Sequence, residues 1–469
     1  MLFAATMPRF AIQRCRATLL GAGLALALLA ALPASAGETA VAAPSSRDSL
    51  EPAPCPECNL VLVTFDALRA DRIGAYGYPK ATTPALDRFA EGAFLFTDAM
   101  SQSGTTMSSL PSLFTGKFPE TDSLIETGEQ LRVRPGETLL AERLRAGGRH
   151  TAAVVAHEFA RGKYGFAAGF DRFDDEYGES ELAAATSLRV AKMLDGLESP
   201  FFLWVHFRQP HSPYESTDAD FAEFYDGPAT THTVQKNTHA EVLAELRSGE
   251  PVDTWTFGAA LVEMTPTMLA QYAARYDGNL KRGDAAFGAL LHKLEQRDDA
   301  GQTIVVVAAD HGESLGEYRI FDHNTLIWGA VHTPLLVRIP GSPGGRLEHP
   351  VSNVDILPTL LRLLDLPAAK GIRGRDLFDS ERKSVPQIAE YSDRRTIKLG
   401  DWKLMERPPR SAGPRLHNVA RDPLETTDLY EKEGARAQQL EALLAALDGT
   451  APEASDPLRD KLRALGYLH

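Results

Sequence analysis

Cysteine is scarce in this chain, with three residues among 469, and the first of them, Cys15, lies in an amino-terminal segment that reads as discarded. A disulfide-built scaffold is excluded by that count, and a four-thiolate zinc site is excluded because only Cys55 and Cys58 remain. Basic residues are also in deficit, 49 against 63 acidic ones for a formal net charge of -14, so the chain offers no broad positive face and nucleic acid is not an expected partner. Long apolar runs are missing after residue 32, so no integral membrane span is expected once the first segment has gone.

That first segment has a recognisable chemistry. Arg9, Arg14 and Arg16 precede an apolar run from Leu19 to Leu32, which ends in Ala34-Ser35-Ala36. The run is short for a spanning helix and is followed by a small-residue cleavage site, so residues 1–36 read as a signal peptide rather than a retained anchor. The expected location is outside the cytoplasm: periplasm, cell surface or medium. In such a compartment Cys55 and Cys58 read as a local disulfide.

Residues 37–58 are rich in Ala, Pro and Ser without periodicity and read as a linker carrying the two cysteines. From Asn59, apolar runs alternate with helical patterns. Leu60–Thr64, Thr151–Ala156, Phe201–His206, Ile304–Ala309 and Leu335–Ile339 read as buried strands, and 139–145 and 268–294 as helices. Alternation of this kind predicts an α/β class domain over 59–380, a mostly parallel sheet sandwiched by helices. The span 215–265 breaks the rhythm and reads as a polar, loop-like insertion able to roof a site. Residues 381–469 read as a small antiparallel sheet, with strands near Ile388, Thr396 and Lys403, then a helix carrying Leu440, Leu443, Leu444 and Leu447, then a tail.

Open parallel sheets bind ligands beyond the carboxyl ends of their strands, so polar residues that close an apolar run are the ones to weigh. The run from Leu60 ends in Asp66, the run from Ile304 ends in Asp310 and His311, and the run from Phe202 leads through Gln209-Pro210 to His211. A lone aspartate closing a strand often only caps a turn. A carboxylate and an imidazole side by side have a further use, because they can converge on a cation.

These residues stand inside a larger pattern that resembles the sulfatase branch of the alkaline phosphatase superfamily. The match runs through Asp66-Ala67-Leu68-Arg69-Ala70-Asp71, Tyr76-Gly77-Tyr78, Thr83-Pro84-Ala85-Leu86-Asp87, Pro210-His211-Ser212-Pro213-Tyr214, Asp310-His311-Gly312-Glu313 and Val354-Asp355-Ile356-Leu357-Pro358. The resemblance implies an alkaline-phosphatase-like core with a small carboxyl-terminal sheet. It also implies one divalent metal ion held by Asp66, Asp310, His311 and the hydroxyl of Thr106, with His211 and His323 contacting the ester or protonating its leaving oxygen. The imidazole favours manganese or zinc, with calcium or magnesium as the other choices. A small-molecule, glycan or lipid-headgroup ester is the implied substrate.

The departures bear on the chemistry. Sulfatases proper carry a C/S-x-P-x-R motif whose first residue becomes formylglycine, and this chain has none. Counting back from Leu113-Phe114-Thr115-Gly116 puts Thr106 at the nucleophile position and Leu110 where the arginine belongs, with Thr105 and Ser108 as rivals because the proline stands at Pro111. Ala67 replaces a further metal-binding aspartate found in many relatives. The lysine expected after the 151–155 strand is missing, with His157 and Lys163 as possible stand-ins, and His332 reads as packing or as a support behind the site residues. Together these features predict an exported, metal-dependent hydrolase of sulfate or phosphate-type esters acting through a threonine, with phosphodiesters or phosphonates favoured chemically. A transferase using the same intermediate and an inactive sulfatase-fold binding protein are the alternatives.

Overall fold

The computed structural model describes residues 51–447 apart from 128–129, 179–182, 215, 228–253, 258–259, 264, 380–384, 410 and 412. The expected signal peptide, most of the linker, part of the insertion and the carboxyl-terminal tail lie outside the described residues. Among the described residues no helix is long and apolar enough to cross a membrane.

Eight strands form the central sheet: β1 (Asn59–Asp66), β2 (Phe94–Phe96), β3 (His150–Val155), β4 (Arg172–Asp174), β5 (Phe201–Pro210), β6 (Thr303–Ala309), β7 (Leu335–Arg338) and β8 (Gly345–Leu347). Their order is β8-β2-β7-β6-β1-β5-β3-β4, with β1 at the centre between β5 and β6. Only β7 runs against the others described in this sheet. All eight residues of β1 are buried, as expected for a central parallel strand covered on both faces.

The alternation along β1 assigns the two layers. Val61, Val63 and Phe65 face a cluster that includes Tyr276, Leu280, Phe287 and Leu290 of the long helix α2 (Pro266–Glu295). Leu60 and Leu62 face the other layer, where Met107, Leu110, Leu113 and Phe114 of helix α1 (Thr106–Thr115) pack with Trp204. Helix α1 starts from an extended Thr105 and stops at Gly116, whose φ of 69° is the left-handed conformation common at helix ends. Pro111 lies inside α1, and the Thr115 hydroxyl donates to its carbonyl at 2.6 Å.

Four antiparallel strands, β9 (Gln387–Tyr391), β10 (Arg394–Leu399), β11 (Trp402–Met405) and β12 (Arg415–Asn418), make the small carboxyl-terminal sheet. Helix α3 (Gly434–Leu447) covers it through Leu440, Leu443 and Leu444. Two local findings differ from the sequence reading. Residues 51–58 are held to the fold rather than strung as a free linker: Cys55 N–H donates to the Leu363 carbonyl at 2.6 Å, and Cys55 and Cys58 are joined by a disulfide. The insertion, expected to be loop-like, carries a helix (Asp218–Phe224) and a hairpin (Thr254–Phe257 with Ala260–Glu263) that pairs with Ile320–Asp322 beside His323.

Candidate active site

The carboxyl ends of β1, β5 and β6 converge on one buried pocket of acids and imidazoles. Asp66 closes β1 and Asp310 follows β6, and both are fully buried. The backbone of the next residue, Ala67, is forced to a φ of 62°, a strained value for a residue with a Cβ. That turn is held from both sides: Ala67 N–H donates to Asp310 Oδ1 at 3.2 Å, and Tyr276 Oη donates to the Ala67 carbonyl at 2.8 Å. His311 N–H also donates to Asp310 Oδ1, at 2.7 Å. Asp310 Oδ2 and both oxygens of Asp66 are left buried with no hydrogen-bond partner.

His311 has one nitrogen committed and one available. Its Nδ1 lies 2.7 Å from the Gly312 carbonyl, which fixes the proton there, so Nε2 is a free lone pair. That Nε2 lies 3.2 Å from Thr106 Oγ1, 3.5 Å from Asp66 Oδ1 and 3.6 Å from Asp310 Oδ2. Thr106 is the first residue of α1, where backbone N–H groups without helical partners favour an anion. Asp66, Asp310 and His311 are thus brought into one cluster whose donor atoms all lie within 4.8 Å of one another, with the Thr106 hydroxyl against His311. Burial together with the neighbouring Asp66 pushes the Asp310 carboxyl up. Burial opposes the charge on Asp66, but the surrounding histidines hold its carboxyl well below the usual range.

His323 and His211 stand over the same space. Their rings are 4.8 Å apart, and His323 lies 4.7 Å from the His311 ring. His323 is carried on a turn in which Asp322 and Asn324 on either side both have positive φ, 75° and 67°. Its Nδ1 is 2.6 Å from Asp322 Oδ1 and 3.4 Å from Glu313 Oε1. Burial works against an imidazolium there, but the two carboxylates outweigh it and raise the His323 pKa well above the ordinary value. His211 differs: burial lowers its pKa to about 4 despite Asp66, so it is neutral, with Nδ1 bonded to the Ser212 carbonyl.

Several participants were not singled out from sequence. His206, fully buried in β5, lies 3.7 Å from Asp66 Oδ2 through Nε2, while its Nδ1 meets Thr64 Oγ1 at 2.8 Å. Glu313 and Asp322 form the acidic clamp on His323, and Tyr214, just before the insertion, donates to Glu313 Oε2 at 3.2 Å. Of the two stand-ins for the missing lysine, His157 reaches the cluster, with Nδ1 3.1 Å from Asp66 Oδ2. Lys163 is half exposed and pairs with Glu158. His332 stacks on Trp328 at 4.4 Å and bonds the Thr97 carbonyl, away from this pocket. The signal for His206 lay in register: it pairs with Thr64, two residues before Asp66 on the neighbouring strand.

A mostly parallel sheet with an Asp/His cluster at its carboxyl edge, a hydroxyl at a helix start and a small carboxyl-terminal antiparallel sheet define an alkaline-phosphatase-like α/β protein. The chain belongs to the sulfatase family, whose model, described as Sulfatase, matches residues 58–366. It is similar to an ulvan-active sulfatase of Formosa agariphila, 25% identical over 365 residues that cover 70% of this chain and 66% of that protein. It is also similar to arylsulfatase K of Xenopus laevis, 26% identical over 285 residues, 55% of this chain and 53% of that one. The chain thus spans between about half and two thirds of the length of these relatives. Among solved structures, phosphonate monoester hydrolase of Agrobacterium radiobacter superposes with a TM-score of 0.65 at 19% identity, covering 88% of this chain and 96% of that one.

Proposed function

We propose that the protein is an exported, metal-dependent ester hydrolase in which Thr106 attacks a phosphorus or sulfur centre, with phosphodiesters and phosphonate esters the favoured substrates. One observation carries the reading: three buried carboxylate oxygens, both of Asp66 and one of Asp310, make no hydrogen bond, and they lie near the Nε2 lone pair of His311 and the Thr106 hydroxyl. Buried carboxylates without a partner are costly, and a cation satisfies them. The donor set fits a divalent ion, with the imidazole favouring manganese or zinc. When bound, such an ion lowers the pKa of the hydroxyl and offsets charge gathering on the non-bridging oxygens.

The remaining steps belong to the protein's own side chains. Thr106 Oγ1, its proton released to solvent before the attack, forms a bond to phosphorus or sulfur in line with the leaving oxygen as the bond to that oxygen breaks, and the cationic His323, with Nδ1 engaged by Asp322, gives its Nε2 proton to the departing oxygen. The ester of Thr106 so formed is opened by water, for which the now neutral His323 acts as base. His211, neutral and beside His323, lines the path of the ester. The absence of the formylglycine motif supports phosphoryl chemistry over sulfate release, because threonine lacks the second hydroxyl through which a hydrated aldehyde expels sulfate. The phosphonate monoester hydrolase and sulfatase relatives are consistent with either centre.

An activity panel on the mature chain loaded with manganese or zinc tests this, comparing an aryl phosphodiester, an aryl phosphonate, an aryl phosphate and an aryl sulfate. Phosphoryl turnover that vanishes in Thr106→Ala is the expected result. Sulfate turnover that survives Thr106→Ala removes the nucleophile assignment.

A further inference from the structure

Among the described residues four large apolar side chains are exposed, and Phe159, at 47%, is the one aromatic ring of the four. A single exposed apolar residue needs no explanation of its own. Phe159 is distinguished by its place, just beyond His157, whose Nδ1 lies 3.1 Å from Asp66 Oδ2. The two ring centroids are 5.7 Å apart, with the planes inclined at 68°. His157 in turn lies 4.9 Å from His211, and His211 lies 4.8 Å from His323. Phe159 therefore borders the pocket on its Asp66 side, with His157 and His211 standing between it and the proton donor for the leaving oxygen.

The ring is held in that place. The turn Glu158–Ala160 follows β3, and Ala156 N–H donates to the His206 carbonyl at 3.1 Å, which ties its start to β5. Ala160 N–H donates to the His157 carbonyl at 3.1 Å, and Ala160 is buried in the core layer that also holds Tyr164. Tyr164 backs the Phe159 ring at 5.9 Å. The polar groups of the turn are spent on one another: Glu158 takes Lys163 and Arg161, the latter at 3.2 Å, and accepts from Tyr177 Oη at 3.3 Å. The charge of Glu158, which would repel an anionic ester, is thereby offset by two cations. The turn presents a ring face rather than partners for the hydroxyls of a sugar.

In-line displacement limits what can lie against that face. The attacking Thr106 oxygen and the leaving oxygen take the two ends of one line through phosphorus, and the remaining substituents spread around its waist. His323 marks the leaving end, so a ring beyond His211 and His157 meets a group at the waist, one that phosphorus keeps. Sulfate esters and phosphate monoesters carry only oxygens there, whereas phosphodiesters and phosphonates carry one organic group.

We propose that Phe159 forms a subsite for an aryl group retained on phosphorus, so that the preferred substrates are phosphonate monoesters or phosphodiesters whose non-leaving substituent is an aromatic ring. Ring-on-ring contact and burial of the exposed face supply the preference. The proposal rests on the reading of the pocket as a phosphoryl hydrolase acting through Thr106.

Two p-nitrophenyl esters that lose the same phenolate, one of phenylphosphonic and one of methylphosphonic acid, isolate the retained group. With the manganese-loaded full chain the expected result is a lower KM for the phenylphosphonate. In Phe159→Ala that KM should rise about 2–10-fold relative to the KM for the methylphosphonate, and Phe159→Trp, which restores a ring, should keep the preference. A rise that is equal for both esters puts the ring against the departing phenolate and overturns the proposal, as does an unaltered ratio. Calorimetric binding of the two free acids needs no turnover. Phenylphosphonate that binds more tightly than methylphosphonate, with the difference lost in Phe159→Ala, supports the subsite; equal binding of the two, or binding of neither, overturns it. Absence of turnover with that binding difference intact overturns the hydrolase reading alone.

Discussion

His323 sits between opposing demands, buried among other imidazoles yet clamped by Asp322 at 2.6 Å and Glu313 at 3.4 Å. In the proposed mechanism, a proton held that firmly on Nδ1 leaves Nε2 to give and recover a proton at the leaving oxygen. His323→Gln should lower turnover by about 10²–10⁴-fold for esters with a poor leaving group, the range for a positioned acid. For an aryl ester whose leaving group departs unaided, the loss should be much smaller. Equal losses on both substrates, measured as kcat, would show that the residue positions rather than protonates. Glu313 matters here through its charge, and its own link to Tyr214 ties the clamp to the insertion.

The turn before α1 and the turn carrying His323 are pressed together at Gly104. A Cβ added there would lie 2.0 Å from the Thr325 carbonyl oxygen, which is backbone and cannot swing aside, and Asn324 N–H donates to the Gly104 carbonyl at 3.0 Å. Gly104→Ala must therefore push the Thr106 and His323 elements apart. We expect a stability loss of about 1–3 kcal/mol in denaturant unfolding, and a fall in kcat on the order of 10²-fold from displaced reacting groups. Full activity in the variant would mean that the two turns move independently. At this scale much was legible in the sequence: β1, β3, β5 and β6 are continuous apolar runs, and their closing polar residues mark the pocket. The three-residue strands β2, β4 and β8 were not legible, because so few residues carry no periodicity. The reversed direction of β7 was equally hidden, since an apolar run reads the same either way. His206 was masked by lying inside such a run, where an imidazole reads as core, and the clamp on His323 depends on a turn geometry that spacing does not encode.

Across the whole molecule, the carboxyl-terminal sheet is tied to the catalytic body by groups that titrate. His417 on β12 is 2.6 Å from Tyr318 Oη through Nε2 and 2.8 Å from the Thr427 carbonyl through Nδ1. Burial lowers its pKa, with Glu425 opposing, so the folded chain keeps it neutral where the unfolded chain would take up a proton. The unfolded state then binds more protons below its own pKa of about 6.5, and stability is lost as pH falls through that value. In thermal unfolding, the midpoint should drop between about pH 7 and pH 5, and His417→Gln should shrink that drop. An unchanged slope would remove His417 from the linkage.

The acids and imidazoles of the pocket come from stretches of chain far apart in sequence, from Asp66 through His206 to His323. No fragment of the chain assembles them, so affinity for the proposed cation would exist only for the completed fold. Every unit of binding free energy is then returned to folding: an ion present at 1,000 times its Kd adds about 4 kcal/mol to the native state. On the proposed metal-dependent reading, the supply of metal where the chain folds would therefore set how long it resists proteolysis, as well as its turnover of an ester.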